Sequence, residues 1–566
     1  MQARVTALGL LLLAAAALPR SSVAQGYDLI LAGGRVVDGT GAPWFRADVG
    51  VIGDRIAAVG DLKKSATKRR IDATRLVIAP GFIDMMGQSE YNVLVDGRAA
   101  SKITQGITTE VTGEGHSIAP LNARMVKDSK STYDYYGVTP NFTTLQGYFA
   151  EFARRGAAIN LATFVGAGGV RDFVMGAVDR PATAGELHDM EAAVAQAMEQ
   201  GALGLSTSLM YVPDRFASTE EIIALAKVAA RYGGSYISHM RDEGDSIDQS
   251  LDEVFRIARE ARIPAEIYHL KTSAKQNWGR MPAVLKRIEA ARADGLDVSA
   301  DQYPWTAWSN NLDADLPAWV NEGGRGKMVE RLSDPATRAR AREGLLQELL
   351  KDFPDWKEGG SSAILITSVL NPALKKYEGQ TIADIAKAEG KDPLDVHLDI
   401  VVADRGATAR VGFSMSEDDV RAALRHPLVS LATDSPAMAE DGILSKEMSH
   451  PRAWGSATRI LGRYVREERL MTLEEAIRKM TSLPATRMHL ADRGIIRPGL
   501  AADLVAFDPE TVRERSTYAD PLRYSEGIAY VAVNGRLVVD RGKITAARPG
   551  RILRGPGYRA ARATRS

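Results

Sequence analysis

Short apolar runs alternate with helical stretches about every 30 residues through the middle of this chain, the rhythm of β/α units. The runs are Phe82-Ile83-Asp84, Thr108 to Thr112, Ile159 to Val165, Leu203 to Ser208, Ser235 to Ser238, Ala265 to Tyr268, Leu296 to Ala300 and Val429 to Ala432. Between them, Glu220 to Ala230 and Leu251 to Ala261 repeat apolar residues at every third or fourth position, as amphipathic helices do. Such a set suits an α/β fold, a (β/α)8 TIM-like barrel whose strands end at one shared mouth. The gap between Tyr303 and Val429 is too long for one crossover, so residues 311–368 or thereabouts read as an insertion. It would serve either as a lid that shapes the pocket and excludes water or as a purely structural excursion.

The chain ends have a different grammar. Tyr27 to Ala79 holds short apolar runs broken by turns, with Gly53-Asp54 as a hairpin signal, and similar runs return at Ala502 to Phe507 and Ile528 to Val533. Neither end can cover its own apolar face, so both are expected to complete one small β-sandwich. The expected division is 1–24 signal peptide, 25–80 first half of the sandwich, 81–490 barrel, and 491–566 second half and tail. The N-terminal segment carries Arg4, an apolar run from Leu8 to Leu18, and Ser22-Val23-Ala24 as a cleavage site, so a periplasmic or secreted product is expected. That run is too short for a convincing span, and no stable membrane insertion is expected after cleavage. With no cysteine in the chain, a lipid anchor at that site, disulfides, thiolate metal sites and cysteine nucleophiles are all excluded. Lys and Arg total 72 against 71 Asp and Glu, which argues against a nucleic-acid partner. A small-molecule substrate fits better; the oligomeric state is open.

The chemistry is expected from scattered strand ends. His239 and His269 each end an apolar run and lie one β/α unit apart, so a barrel would bring two imidazoles to neighbouring positions at its mouth. Glu114 sits between Gly113 and Gly115, which permit a sharp turn and a close backbone approach. A carboxylate with two imidazoles suits zinc with an open water position. His116 is an alternative ligand or a hydrogen-bond donor beside it. Asp434 follows the last strand and could move a proton from water to a leaving nitrogen, although an aspartate before Ser435-Pro436 also suits a plain turn cap. Arg241 could clamp a substrate carboxylate or pair with Asp242 or Glu243. Tyr303 and Trp305, with Trp308, could wall the pocket, or the tryptophans could be core.

The chain resembles the amidohydrolase superfamily, most closely its N-acyl-D-amino-acid deacylase branch. The motifs that carry the resemblance include Pro80-Gly81-Phe82-Ile83-Asp84, Ser238-His239-Met240-Arg241-Asp242-Glu243-Gly244, His269-Leu270-Lys271, His450-Pro451-Arg452 and Lys479-Met480-Thr481-Ser482-Leu483-Pro484-Ala485. The resemblance implies a barrel with a terminal β-sandwich, a divalent metal and hydrolysis of an N-acyl amide bond. By the same resemblance His239 and His269 match the tight-metal histidines, Glu114 falls where the branch usually has a bridging cysteine, and Asp434 matches the catalytic aspartate. Two family positions depart: the His-x-His pair after Asp84 is Met86 and Gln88 here, and a further histidine is Ala167. One tightly held Zn2+ is therefore the expected cofactor. The rival expectation is a secreted, noncatalytic small-molecule-binding protein that keeps the fold.

Overall fold

The computed structural model describes residues 26–559, so the expected signal segment lies outside the described residues. The first strands are β1 (Leu29–Val36), β2 (Phe45–Ile52), β3 (Arg55–Gly60), β4 (Arg70–Asp72) and β5 (Val77–Pro80). Gly53, at φ 59°, makes the turn from β2 to β3 in a conformation that glycine adopts without a Cβ clash.

The barrel follows with β6 (Phe82–Asp84), β7 (Ile107–Thr112), β8 (Asn160–Thr163), β9 (Val165–Gly166), β10 (Gly204–Ser208), β11 (Ser235–His239), β12 (Ala265–Ile267) and β13 (Val298–Gln302). An inserted unit contributes β14 (Trp308–Asn311), β15 (Ile364–Ser368) and β16 (Ala409–Gly412), after which β17 (Val429–Leu431) completes the barrel. Its strands pair in parallel along two paths, β6-β7-β8 and β9-β10-β11-β12-β13-β17. β8 runs into β9 across Phe164. The remaining seam is closed where Met85 N–H donates to Leu431 O at 3.1 Å and Gly87 bridges to Ser435. The strand interiors are fully buried, as parallel strands covered by helices must be. Local signals start the covering helices. Thr183 and Glu186 form a reciprocal capping box before Ala184–Gln200, and the Ser218 hydroxyl caps Thr219–Arg231.

The last strands are β18 (Leu504–Phe507), β19 (Ile528–Val533), β20 (Arg536–Asp540) and β21 (Lys543–Ile544). They join the first five in one hydrogen-bonded sheet of nine strands, ordered β21-β20-β19-β18-β5-β1-β2-β3, with β4 alongside β1. After β21 the tail leaves the sheet and returns to the barrel: Gly550 N–H donates to Ala157 O, Leu553 N–H donates to Leu161 O, and Ile552 bridges to Leu161. The junction is polar and satisfied on several sides, since Asp503 accepts from Asn160 Nδ2 at 2.9 Å and from Asn534 N–H at 2.7 Å and pairs with Arg493.

The insertion is longer than the expected 311–368. β14, β16 and β15 form an antiparallel sheet, so the inserted unit runs from Trp308 to Gly412. It lies across the C-terminal ends of the barrel strands and is tied to their loops by Arg215–Glu348 at 3.2 Å and Lys275–Asp355 at 2.6 Å. Its own core contains His397, whose Nε2 faces Leu312 O at 2.9 Å while Nδ1 is buried without a partner. Burial, reinforced by the Arg410 cation, pulls this imidazole down to about 3 from its ordinary 6.5. Its folded pKa lies below the unfolded one, so the unfolded chain binds the extra proton and stability is lost as pH falls below 6.5. This contribution amounts to at most about 1.4 kcal/mol per pH unit. His397→Gln is expected to flatten the fall in melting temperature between pH 6.5 and pH 4.5 in scanning calorimetry. Parallel curves for the two proteins would remove His397 from the account.

Candidate active site and metal centre

Three side chains from separate β/α units meet at the barrel's C-terminal mouth. Glu114 is carried on the glycine turn that follows β7, with Gly113 at φ 96° and Gly115 at φ 54°; His239 ends β11, and His269 lies just past β12. Glu114 Oε1 is 2.8 Å from His239 Nδ1, and His239 Nδ1 is 3.0 Å from His269 Nε2. All three donor atoms lie within 4.8 Å of one another. The turn at Glu114 is enforced by packing, because a Cβ on Gly115 would press against Ser208. Ser208 Oγ in turn donates to Glu114 Oε1 at 3.0 Å, and Gln88 Nε2 donates to Oε2 at 2.6 Å.

The groups behind His269 fix its imidazole. Lys271 Nζ contacts both oxygens of Glu243 at 2.6 Å and His269 Nδ1 at 2.7 Å, and Glu243 Oε1 lies 3.0 Å from the same ring nitrogen. His269 has φ 33°, and its N–H is held by Asp301 Oδ1 at 2.7 Å. Such a left-handed backbone at a bulky residue costs on the order of 1–3 kcal/mol and persists where its surroundings enforce it. Burial alone would push Glu114 and Glu243 up, but the opposing cations and imidazoles outweigh it and hold both carboxyls well below their ordinary range. Burial and Lys271 push His269 down, yet Glu243 and Glu114 overcome them and raise it to about 9. The pocket therefore favours positive charge at the meeting point of the three donors. One carboxylate oxygen and two imidazole nitrogens are also a ligand set that zinc accepts with a coordination position left open. These residues fit a divalent cation.

Asp434 stands on the loop after β17 at φ 48° and forms a 2.7 Å ion pair through Oδ2 with Arg452 Nη1. Burial raises this carboxyl above its ordinary value, the positive charges of Arg452 and His269 oppose the rise, and Glu114 adds to it. Arg452 is itself spread over the mouth, donating to Ser309 O at 3.2 Å and to Ser435 Oγ at 3.3 Å. Its guanidinium stacks 4.8 Å from the Tyr303 ring, and that ring lies 6.4 Å from His269.

Several nominated side chains stand elsewhere. His116 is exposed and outside the converging set, because the turn that points Glu114 inward carries the next side chain outward. The Arg241 donors are committed to Glu253, at 3.0 and 2.8 Å, and to the carbonyls of Arg215 and Ala217. No free fork remains for a substrate carboxylate, and neither Asp242 nor Glu243 is its partner. Trp305 is core, donating to Ser456 Oγ under the stacked Arg459, and Trp308 is likewise buried against Arg410. Met86 is core too, whereas Gln88 reaches Glu114. Lys271 and Arg452 lie inside the motifs noted above, and Glu243, a candidate partner of Arg241, instead serves Lys271 and His269. Their burial beside the ligand set is visible only after folding.

Residues 69–539 match the model of the Amidohydrolase family. D-aminoacylase of Alcaligenes xylosoxydans xylosoxydans is 36% identical over 533 residues, covering 94% of this chain and 98% of that protein. The crystal structure of N-acyl-D-glutamate deacylase from Bordetella bronchiseptica, complexed with zinc and a phosphonate mimic of the tetrahedral intermediate, superposes with a TM-score of 0.78. It is 35% identical, over 94% of this chain and all of that one. A D-aminoacylase structure described by its binuclear metal centre, with one-metal activation and second-metal attenuation, gives a TM-score of 0.77 at 36% identity over 93% of this chain and 100% of that one.

Proposed function

The chain belongs to the amidohydrolase family, and from that premise we propose that it removes the acyl group from N-acyl-D-amino acids with a single tightly held zinc ion. The observation that carries this reading is the convergence of Glu114, His239 and His269 beside Asp434 and Arg452. Relatives that share a third of its residues over nearly its whole length are D-amino-acid deacylases by name, which supports the substrate class. The zinc of the Bordetella structure supports the metal. One ion rather than two is supported by Met86 and Gln88. A buried thioether and a neutral amide, whose nitrogen donates to Glu114 and whose oxygen is a weak zinc ligand, are poor candidates for holding a second cation.

Glu114, His239 and His269 would hold the ion. When bound, a divalent cation at such a site polarises the scissile carbonyl and lets water act as a nucleophile near neutral pH. The remaining work falls to the chain. Asp434 takes the proton that water loses as it adds to the carbonyl carbon, then delivers it to the amine nitrogen as the C–N bond breaks. A group that both accepts and donates is best poised when its pKa approaches the working pH, and burial moves Asp434 in that direction. Arg452 orients this carboxylate, and its position beside the Tyr303 ring suits it to meet the substrate's own carboxylate. Glu243 and Lys271 fix the His269 ring. The insertion, tied down on two sides, limits access of bulk water. We assign the nine-stranded terminal sheet to a sandwich-like unit, a reading supported by its own apolar cluster of Leu29, Val49, Ile56, Ala502 and Leu504. The leader-like first residues support export out of the cytoplasm, which N-terminal sequencing of the mature protein tests.

The decisive measurement pairs metal removal with a substrate panel. Dialysis against a chelator is expected to abolish hydrolysis of an N-acyl-D-amino acid, and about one equivalent of Zn2+ to restore it. N-acyl-L-amino acids are expected to turn over more slowly. Turnover indifferent to chelation would sink the metal reading, and tight ligand binding without turnover would favour the noncatalytic alternative.

A further inference from the structure

Lys102 is fully buried in a polar enclosure that the reaction outlined above does not use. Its ammonium donates to Asp84 Oδ2 at 2.8 Å, Thr433 Oγ1 at 2.6 Å and the Ser435 carbonyl at 2.8 Å. An ammonium has three N–H bonds, so all are used. Glu110 Oε1 adds a further negative charge at 3.3 Å and is itself fixed by Ser89 Oγ at 2.7 Å. Room for Glu110 depends on Gly87, where any Cβ would overlap its carboxylate.

Two of the three acceptors, Thr433 and Ser435, flank Asp434. Asp84 adds to the hold, accepting from Thr433 N–H at 2.8 Å and from Thr433 Oγ1 at 2.6 Å, and Asp434 N–H donates to Met86 O at 2.7 Å. Between these ties Asp434 adopts φ 48°, a conformation that aspartate enters more readily than most non-glycine residues but still at a cost. We propose that Lys102, seated on Asp84, is a positioning residue that clamps both neighbours of Asp434 and so aims its carboxylate into the mouth of the barrel. The proposal rests on the reading of Asp434 as the proton carrier. The physical case lies in the place of the ties. A turn held only by its own hydrogen bonds would relax toward a common backbone conformation and swing the carboxylate away from the metal ligands. A charged group desolvated on all sides and bonded to the residues before and after Asp434 leaves it no such freedom. Displacing a reacting group by about 1 Å costs on the order of a hundredfold in rate.

The test uses two variants and one control. Thr433→Val removes the hydroxyl that both Lys102 and Asp84 hold while nearly keeping the side chain's shape. Lys102→Met removes the ammonium but leaves two buried carboxylates unpaired, so its folding must be verified by melting. Both are measured for kcat, KM and zinc stoichiometry beside Asp434→Asn. The expected result is a fall in kcat of about 10- to 100-fold, with KM changed less than about twofold and one zinc retained. A folded Thr433→Val enzyme with unchanged kcat overturns the proposal, as does a variant that loses its zinc or shifts KM and kcat together. If Asp434→Asn itself keeps full activity, the proton-carrier reading fails instead.

Discussion

Asp434→Asn is expected to lower kcat by about 10²- to 10⁴-fold, the range that a positioned proton-transfer group contributes, while the protein keeps its metal. The asparagine amide matches the carboxylate in size and can still meet neighbours, but it cannot carry a proton from water to a leaving nitrogen. Asp434 is not among the three converging donors, and its ion pair is with Arg452. Metal content measured by elemental analysis should therefore stay at the wild-type level as turnover collapses. KM should change little if the substrate is gripped by the ion and Arg452. Loss of metal in the same proportion as loss of activity would move Asp434 into the ligand set and leave the proton carrier unidentified.

The opposite pattern is expected at the two histidines. His239→Ala and His269→Ala should each lose metal and turnover together, because each removes one of the three donors that meet here among the described residues. Removing a group that merely orients a ligand typically costs about 10- to 100-fold in affinity, and losing a ligand itself should exceed that. Glu243→Gln provides the comparison. It weakens the hold on His269 Nδ1 without deleting a donor, so an intermediate affinity is expected in a zinc competition titration. If His239→Ala binds zinc as tightly as the parent, the three-donor centre is wrong whatever the kinetics show.

Much of the site was legible because barrel geometry turns sequence spacing into spatial proximity. An apolar run that ends in histidine, repeated one β/α unit later, puts two rings on adjacent strands; β11 and β12 are paired, Tyr236 with Ala265 and Ser238 with Ile267. Glu114 could be singled out because glycines on both sides announced a turn. Gln88 illustrates the limit. Read as a histidine position gone missing, it suggested a loss, whereas its amide in fact donates to Glu114. Arg241 misled for the reverse reason: its place beside His239 says nothing about Glu253, which faces it from the following helix. Lys102 sits in a four-residue helix, Ala100–Ile103, with no local sign that its ammonium enters the interior. The bounds of the insertion escaped because β14 pairs with β16 rather than with a neighbour in sequence. No periodicity within a window of a few residues reports such a partnership.

The nine-stranded sheet has a kinetic corollary. Its central strand β5 is flanked by β1 on one side and β18 on the other, with Val77 opposite Phe507, so the chain's two extremities meet in the middle of one ladder. Contacts so distant in sequence form slowly, because a long loop must close before they offer any reward. As the polypeptide emerges from the ribosome, the N-terminal strands must wait for the last segment to be made with one edge of β5 unsaturated. An exposed edge of this kind is where wrong partners add. Nascent chains stalled before Leu504 should therefore be the species most in need of chaperone protection.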